Sequence, residues 1–321
     1  MAERCMGCMK MKEQLICEHC GFDGQMENEP HQLPMGTVVG EQYILGRVLS
    51  ESYMEIDYLG WDTCLACPVT VREFYCKSKA SGVGRGIDES DRMNAGMAAF
   101  REDFEAEGEK LIRVWHVPQV LRILRDFREN GTSYKVYEYA EGVNLRKYIE
   151  SRGYLNWEQT MALLTPIRDG LVKIHEAGLV HRCIRPETVL VLKDGSVKLV
   201  EFENAIEIGS LHDGQRLNMP SDGFMPLELM RADHVNLPSM DVFGLCGLFY
   251  YCLTGMKPMS CIDRVMHDGN GISWGVVPDV DVRRPSVLER GMALRAKERY
   301  DTVEELWEFL TSDRLYDPFG I

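Results

Sequence analysis

Residues 181–203 read HRCIRPETVLVLKDGSVKLVEFE, and this stretch decides the fold. The runs VLVL and VKLV are short and rich in β-branched residues, which predicts two strands, and the letters KDGS between them predict a turn. A polar loop segment, HRCIRPET, comes before the hairpin, and the charged tripeptide EFE follows it. The rest of the chain is interpreted around this order of loop, hairpin and acidic tripeptide.

The composition is that of an acidic globular protein. Of the 321 residues, 45% are hydrophobic, which is sufficient for one large two-lobed domain with a packed core plus a small module. The formal net charge is -14, and the lack of a Lys/Arg surplus argues against binding of nucleic acids through their phosphates. The longest apolar run, residues 242–256, is shorter than a bilayer span and is interrupted by glycines, so it predicts a buried helix and no membrane span.

Two C-x-x-C knuckles near the N-terminus predict a metal site. The cysteines are Cys5, Cys8, Cys17 and Cys20, with eight residues between the two pairs. Four thiolates at this spacing can surround one Zn²⁺ ion tetrahedrally, which leaves no open position for zinc catalysis. We therefore predict a structural zinc ribbon over residues 1–24, folded mainly by the metal because so short a segment has no core of its own. The alternatives are a redox dithiol and a tail without fixed structure.

The next segment, residues 25–36, reads QMENEPHQLPMG; it is polar, contains two prolines and predicts a linker. The N-terminus carries cysteines and charges where a signal peptide needs an apolar stretch, so we expect a cytoplasmic protein with reduced cysteines. Cys64 and Cys67 form another C-x-x-C, with Cys76 nearby. Without a second pair they are interpreted as ordinary reduced cysteines, since free cysteine commonly packs as a small hydrophobic residue.

The stretch at 181–203 resembles the catalytic loop and metal-binding segment of a protein kinase. Protein kinases carry H-R-D, an asparagine five residues after that aspartate, and then D-F-G. This chain has Cys183 for the aspartate, Thr188 for the asparagine, and Glu201 and Glu203 at the two ends of D-F-G. The spacing of the segment is kept, whereas the residues that carry its chemistry are replaced.

The predicted strands at 43–49, 53–61 and 68–75 resemble the first three strands of a kinase N-lobe. The likeness is greatest to bacterial serine/threonine kinases that have an N-terminal zinc ribbon and a PHQLP.GT junction, matched here at residues 30–37. The resemblance covers essentially the whole chain. It implies an α+β, two-lobed protein kinase-like fold preceded by the zinc ribbon. The expected kinase-like domain spans 37–315, with a β-rich N-lobe at 37–139 and a helical C-lobe at 140–315.

The resemblance also assigns a nucleotide cleft, and its residues have changed. Kinases use G-x-G-x-x-G because only glycine lets backbone N–H groups approach the phosphates, and Ser50, Ser52 and Glu55 stand at these positions. Asp57 and Thr70 make the adenine pocket more polar, and the tyrosine at the gatekeeper position narrows it. The residues assigned to this degenerate cleft are Ser50, Ser52, Glu55, Asp57, Thr70, Tyr137, Glu138 and Ala140.

Arg72 stands where the resemblance places the strand-three lysine. That lysine reaches the phosphates while it pairs with a helix glutamate, which aligns here with Glu107, and arginine does not substitute for it freely. We predict a helix at about 95–114 and a bidentate Arg72–Glu107 pair that holds the lobe closed without nucleotide.

Other positions keep the residues that build the kinase fold. These residues are His181, Arg182, Phe202, Asp241 and Arg299. Residues 223–228, GFMPLE, resemble the family's G-Y-A-P-E-E, with Leu227 in place of the first glutamate. The segment before them corresponds to an activation segment, whose hydroxyl residues are Ser210 and Ser221.

The replacements argue against ordinary phosphoryl transfer, because kinase catalysis consists of positioning and charge stabilisation and several parts are altered together. The main interpretation is a catalytically impaired kinase-like domain, a pseudokinase, that acts as a scaffold or regulator by binding another protein. That partner would be an active kinase or its substrate. Zn²⁺ is expected as a structural cofactor, and binding of ATP with Mg²⁺ is not expected.

Two alternatives stay open. The first is a weakly active or atypical ATP-dependent serine/threonine kinase, or another transferase on the same fold, with Glu201 as a metal ligand or Cys183 as a nucleophile. The second is a nucleotide-free, zinc-dependent adaptor, for which chelation would abolish partner binding.

Overall fold

The computed structural model describes residues 3–75, 95–211, 220, 222–231, 233–267, 272–274 and 284–312. The chain forms two compact units, one of Met1–Ile112 with Leu121–Ala140 and the other of Arg113–Val120 with Glu141–Ile321. Cys76 and Ser221 lie outside the described residues. Within the described ranges, no helix is both long enough and apolar enough to cross a bilayer.

The first unit begins with a short hairpin of β1 (Glu3–Arg4) and β2 (Met11–Lys12), followed by a six-stranded antiparallel sheet of order β3-β4-β5-β6-β8-β7. The strands of the sheet are β3 (Val38–Val39), β4 (Tyr43–Glu51), β5 (Glu55–Asp62), β6 (Cys67–Phe74), β7 (Ile123–Glu129) and β8 (Thr132–Glu138). Helix α1 spans Ala95–Arg113. The sheet and the helix match the predicted elements to within a few residues.

Alternation of side chains gives the sheet two different faces. One face is an apolar core, built mainly from every second residue of the strands, with Leu33 added from the preceding segment. Its members are Leu33, Val39, Tyr43, Leu45, Ile56, Tyr58, Val69, Val71, Tyr134 and Val136. The opposite face carries Asp57, Arg72 and Lys135, which lie directly across from one another on β5, β6 and β8. Charged residues on this face therefore share one row of the sheet.

The cysteine-containing ribbon docks on strand β4. The pairing of β4 with β5 shifts register between Leu45 and Val48, which leaves Arg47 outside the regular ladder. Its backbone N–H donates to Met6 O at 2.9 Å, and its Nε donates to Gly7 O at 3.0 Å. The first C-x-x-C knuckle thus takes up hydrogen bonds that the bulge removes from the sheet.

Close approach between ribbon and sheet requires a glycine at position 46. A Cβ there would lie 2.4 Å from Met6 O and 2.5 Å from Met9 Cε. A second contact is made by the Arg4 guanidinium, which lies 3.4 Å from the centroid of the Trp61 ring. The ribbon and the sheet therefore belong to one packed body.

Residues 25–36, predicted as a linker, run along the same strand. His31 Nε2 lies 3.0 Å from Glu51 Oε2, and Gln32 Nε2 donates to the same oxygen at 2.7 Å. In the first half of β4, Asn28 Nδ2 donates to Gly46 O at 3.1 Å. The segment is thus hydrogen-bonded to β4 both within the strand and at its C-terminal end.

The second unit is mainly helical, as expected for the later part of an α+β chain. Its helices are α2 (Leu145–Glu150), α3 (Trp157–Glu176), α4 (Ser239–Thr254), α5 (Cys261–Met266), α6 (Arg284–Gly291) and α7 (Val303–Thr311). Its strands are β9 (Gly142–Asn144), β10 (Leu179–Val180), β11 (Val189–Leu192), β12 (Val197–Leu199) and β13 (Ile206–Glu207). They form the small sheets β12-β11-β9 and β10-β13.

Local sequence sets the ends of these helices. Asn156 and Gln159 form a reciprocal capping box that starts α3, and Gly255, with φ of 71°, ends α4. Every residue from Ser239 to Leu253 is buried, which confirms the predicted buried helix. The predicted hairpin is also present, with β11 and β12 antiparallel around Lys193–Ser196.

Candidate functional site

The loop that begins at His181 is held by Asp241 of α4. Asp241 accepts the backbone N–H groups of His181 and Arg182, each at 2.8 Å, and His175 Nε2 lies 2.8 Å from the same carboxylate. Burial alone would raise the pKa of Asp241, but the bond to His175 and the nearby histidine and backbone donors lower it. Arg182 adopts φ of 63°, a left-handed conformation that costs a non-glycine residue energy, and the bonds to Asp241 compensate for it.

The retained residues of this loop make structural contacts. Arg182 is buried, and its Nε donates to Asn204 O at 2.6 Å. The centroids of the His181 and Phe202 rings lie 4.6 Å apart. These groups tie the loop to the segment that follows the hairpin.

Cys183, at the position of the kinase aspartate, is a buried thiol. Burial raises the pKa of Cys183 well above its usual value, and the neighbouring carboxylates of Glu201 and Glu203 raise it further. A protonated thiol is a poor general base and a poor nucleophile. Glu201 itself has a left-handed backbone, with φ of 64°.

The Thr188 hydroxyl, at the position of the kinase asparagine, is occupied by its own loop. Its Oγ1 lies 2.7 Å from Cys183 O and 3.1 Å from Arg185 O, and it accepts the Arg185 N–H at 3.2 Å. The side chain is fully buried. Thr188 therefore stabilises the turn, and its hydroxyl is not directed to a ligand.

A glutamate that the sequence did not assign pairs with Arg299. Both terminal nitrogens of Arg299 donate to the Glu228 carboxylate, at 2.5 and 2.8 Å. Glu228 directly follows Leu227, the apolar residue that stands where the family's G-Y-A-P-E-E has its first glutamate. Glu228 is therefore the residue of this segment that supplies the acidic partner of Arg299.

In the first unit, the turn at Ser50–Glu55 is closed by its own serine. Ser52 Oγ accepts the backbone N–H groups of Met54 at 3.2 Å and Glu55 at 3.1 Å, and Ser52 N–H donates to Glu55 O at 2.8 Å. In a kinase such N–H groups face the phosphates. Here they are used inside the turn.

Arg72 pairs with the two acidic residues of β5, and the predicted Arg72–Glu107 pair is wrong. Arg72 Nε and Nη2 donate to the Asp57 carboxylate at 2.7 and 3.1 Å, and Nη1 lies 3.3 Å from Glu55. Asp57 is directly opposite Arg72 in the sheet, so it is the nearer partner. Ser50 Oγ also donates to Asp57, at 2.8 Å.

The opposite charges of Arg72 and the two carboxylates of Asp57 and Glu55 stabilise one another. Burial by itself would lower the pKa of Arg72, but the charges of Asp57 and Glu55 raise it well above its usual value. Burial also raises the pKa of Glu55, an effect that Arg72 opposes. The cation at the lysine position is thus neutralised by the protein itself.

Glu107 of α1 has a different cationic partner, Lys135, which the sequence did not suggest. Lys135 Nζ lies 2.5 Å from Glu107 Oε2, and the Tyr137 hydroxyl donates to the same oxygen at 3.2 Å. Burial and the Glu107 charge raise the pKa of Tyr137 well above its usual value. The one available signal was a lysine inside TSYKVYE, a strand that is otherwise apolar or neutral before its final glutamate.

The remaining cleft positions lie along the same strands. Thr70 is paired with Tyr137 across β6 and β8, and Val69 is paired with Glu138. Glu138 accepts the Arg122 backbone N–H at 3.1 Å. Ala140 follows β8 at the end of the first unit.

The four N-terminal cysteines converge. The Sγ atoms of Cys5 and Cys20 are 3.7 Å apart, those of Cys8 and Cys17 are 3.8 Å apart, and all four lie within 4.8 Å of one another. Zn–S bonds of about 2.3 Å in a tetrahedron place sulfur atoms about 3.8 Å apart. The donor set therefore fits one zinc ion. By contrast, Cys64 is an exposed free thiol, with its Sγ 3.6 Å from Gln42 Oε1.

Comparison with known proteins agrees with this geometry. Residues 93–311 match the family model described as Protein kinase domain. The chain is 28% identical over 155 residues to Sperm motility kinase 2B of Mus musculus. The aligned residues make up 48% of this chain and 31% of that protein. It is 28% identical over 172 residues to Serine/threonine-protein kinase PknL of Mycobacterium tuberculosis, covering 53% of this chain and 42% of that protein.

A third relative is Probable serine/threonine-protein kinase pknA2 of Bifidobacterium longum, 28% identical over 176 residues, which is 55% of this chain and 21% of that protein. Each comparison spans less than half of the relative's length. The family model, in contrast, spans more than half of this chain. The matched residues include the loop at His181, the hairpin after it and Asp241. The chain therefore belongs to the protein kinase domain family.

Proposed function

We propose that this kinase-family protein is a pseudokinase, a scaffold or regulator that binds another protein and does not transfer phosphate. The observation that carries the proposal is the position of Arg72. Its guanidinium lies between the Asp57 and Glu55 carboxylates, so the charge of Arg72 is already paired and is not free for the phosphates of a nucleotide.

The turn before Arg72 supports the same conclusion. The N–H groups of Met54 and Glu55 already donate to Ser52 Oγ, and the Glu55 carboxylate would repel a triphosphate. A nucleotide would have to break these bonds and separate Glu55 from Arg72. Each rearrangement would reduce its affinity.

The second unit supports it through the loss of a base and a metal ligand. A general base contributes roughly 10² to 10⁴-fold to a proton transfer, and the thiol of Cys183 is held in its protonated form. The Thr188 hydroxyl is bonded to backbone carbonyls of its own loop. The fold is kept by Asp241 and by the Arg299–Glu228 pair, which do not take part in phosphate chemistry.

Thermal unfolding of the full chain tests the proposal. We expect ATP with Mg²⁺ to leave the melting temperature unchanged, whereas a ligand present at about 100 times its Kd would add about 2.7 kcal/mol. The matched control is a triple variant, Ser52→Gly, Glu55→Gly and Arg72→Lys, in which we expect stabilisation by ATP to appear. A clear rise of the melting temperature in the wild-type chain would contradict the proposal.

A weak serine/threonine kinase activity is the second candidate, because Glu201 keeps a carboxylate where kinases bind magnesium. Incubation with radiolabelled ATP separates the two candidates. Label transfer that is lost in Glu201→Gln and kept in Cys183→Ala would establish a metal-dependent kinase. Loss in Cys183→Ala would instead indicate a covalent nucleophile.

The four-cysteine cluster completes the proposal. We assign it a structural Zn²⁺ ion held by Cys5, Cys8, Cys17 and Cys20, which would cross-link the two knuckles of the ribbon. The partner class that we propose is an active kinase or its substrate, in the cytoplasm. Affinity capture with the wild-type chain, compared with a chain treated with a zinc chelator, tests whether partner binding needs the ribbon.

A further inference from the structure

We propose that Lys135, in place of the cation at position 72, pairs with Glu107 and holds helix α1 against the sheet. The helix then keeps its position without a nucleotide. The inference concerns the contact between α1 and β8. It does not depend on whether the protein transfers phosphate.

The face of β8 that points to α1 is polar. Ser133, Lys135 and Tyr137 alternate along it, and two glutamates of the helix meet them. Ser133 Oγ donates to Glu105 Oε1 at 2.5 Å, while Lys135 and Tyr137 both contact Glu107 Oε2. Helix and strand are thus joined by hydrogen bonds along three successive positions of one face.

Lys135 is the charged strand residue of this row, and its charge is buried. Lys135 is 0% exposed and Glu107 is 2% exposed. The ammonium also lies 4.0 Å from the centroid of the Phe104 ring, which belongs to α1 as well. A buried ion pair is costly to break from one side, because the remaining charge is left without a partner.

Position 72 is not available for this contact. Arg72 and Lys135 are paired across β6 and β8, but Arg72 is directed to Asp57 and Glu55 of β5. The two cations of this row, Arg72 and Lys135, therefore pair with different acidic residues. Lys135 pairs with Glu107 of the helix, and Arg72 pairs with the carboxylates of β5.

The arrangement makes the anchor independent of nucleotide. A phosphate could reach the Lys135 ammonium only by displacing Glu107 and the Phe104 ring. We therefore assign Lys135 the role of a positioning residue rather than of a phosphate ligand.

Amide hydrogen exchange of the full chain tests this role. In Lys135→Met we expect exchange in residues 101–112 to rise at least about tenfold, because the buried Glu107 charge loses its cation. In the control Arg72→Met we expect exchange in the same residues to stay within about threefold of the wild type. The reverse pattern would overturn the proposal.

A rescue variant separates the pair from general packing. Combining Lys135→Met with Glu107→Leu removes both charges, and we expect it to restore protection in α1 relative to either single change. No restoration would contradict the proposal. If Lys135→Met does not fold, Glu107→Gln gives the same test, with raised exchange in α1 expected and unchanged exchange contradicting it.

Added ATP with Mg²⁺ gives the last test. We expect no change of α1 exchange in the wild-type chain. Protection that appears with ATP in the wild type and is absent in Lys135→Met would show that Lys135 binds phosphate, and would overturn its role as the anchor.

Discussion

At the scale of single residues, the family's fold-building groups keep their contacts while the groups at chemical positions acquire internal partners. Asp241 still orders two backbone N–H groups of the loop at His181 and Arg182. Arg72 and Thr188, which stand at chemical positions, are bonded to the protein itself. Asp241 therefore preserves the conformation of the loop, while Arg72 and Thr188 are held by bonds within the protein.

Replacement of Asp241 tests its importance for this conformation. Asp241→Asn leaves one carboxamide oxygen for donors that two carboxylate oxygens now serve, and we expect a loss of about 2–4 kcal/mol in the free energy of unfolding. Urea unfolding at pH 7 measures it. Asp169→Asn, on the half-exposed side of α3, is the control and should change stability by less than about 0.5 kcal/mol.

The pH dependence has a defined sign. Because the pKa of Asp241 is lowered in the folded protein, its contribution is present above the unfolded value of about 3.9 and is lost as the pH falls through the folded value. We therefore expect the stability difference between wild type and Asp241→Asn to shrink in acid. A difference that is the same at pH 7 and below pH 3 would contradict this assignment.

At the scale of elements, strand β4 connects three features that look separate in the sequence. Its bulge binds the first C-x-x-C knuckle through Arg47, its end binds His31 and Gln32 through Glu51, and it leads into the turn closed by Ser52. The ribbon and the segment 25–36 thus contact the strand that precedes the turn at Ser50–Glu55.

Gly46→Ala tests the docking of the ribbon on this strand. The added Cβ would lie 2.4 Å from Met6 O, so we expect the ribbon to shift and the free energy of unfolding to fall by about 1–3 kcal/mol. Gly108→Ala in α1 is the control, because its nearest neighbour atom would be 3.8 Å away and alanine favours a helix. Equal effects of the two substitutions would argue against a specific contact at position 46.

At the scale of the whole molecule, the β-rich unit includes the cysteine ribbon and is not merely preceded by it. Contacts from Arg4 to Trp61 and from Asn28 to Gly46 join the ribbon and its following segment to the sheet. Metal binding in the ribbon is therefore expected to stabilise strands that carry no metal ligand.

Zinc removal tests this coupling. We expect a chelator to release one zinc ion per chain and to increase hydrogen exchange in both the ribbon and residues 43–62, since Arg47 loses the ordered carbonyls of Met6 and Gly7. Metal content is measured in parallel. Increased exchange confined to residues 3–24 would mean that the ribbon folds independently of the sheet.

The family and the order of elements could be predicted from local signals. Each of these signals lies within a few residues and can be read from the sequence. They are the C-x-x-C spacing, the alternation in the strands and the H-R-x pattern at His181. The fold class, the buried helix α4 and the convergence of the four cysteines followed from them.

Ion-pair partners could not be predicted in the same way, because they depend on register and on which face of a strand a side chain occupies. Arg72 was matched to Glu107 by family position, but cross-strand pairing gave it Asp57, and Lys135 of β8 took the helix glutamate. Likewise, nothing in the ribbon's sequence named Gly46 as its docking site. The sequence alone therefore determined which groups the protein has and, to within a few residues, where its main elements lie, whereas the tertiary structure decided which charges neutralise one another, since a pair forms between neighbours in space.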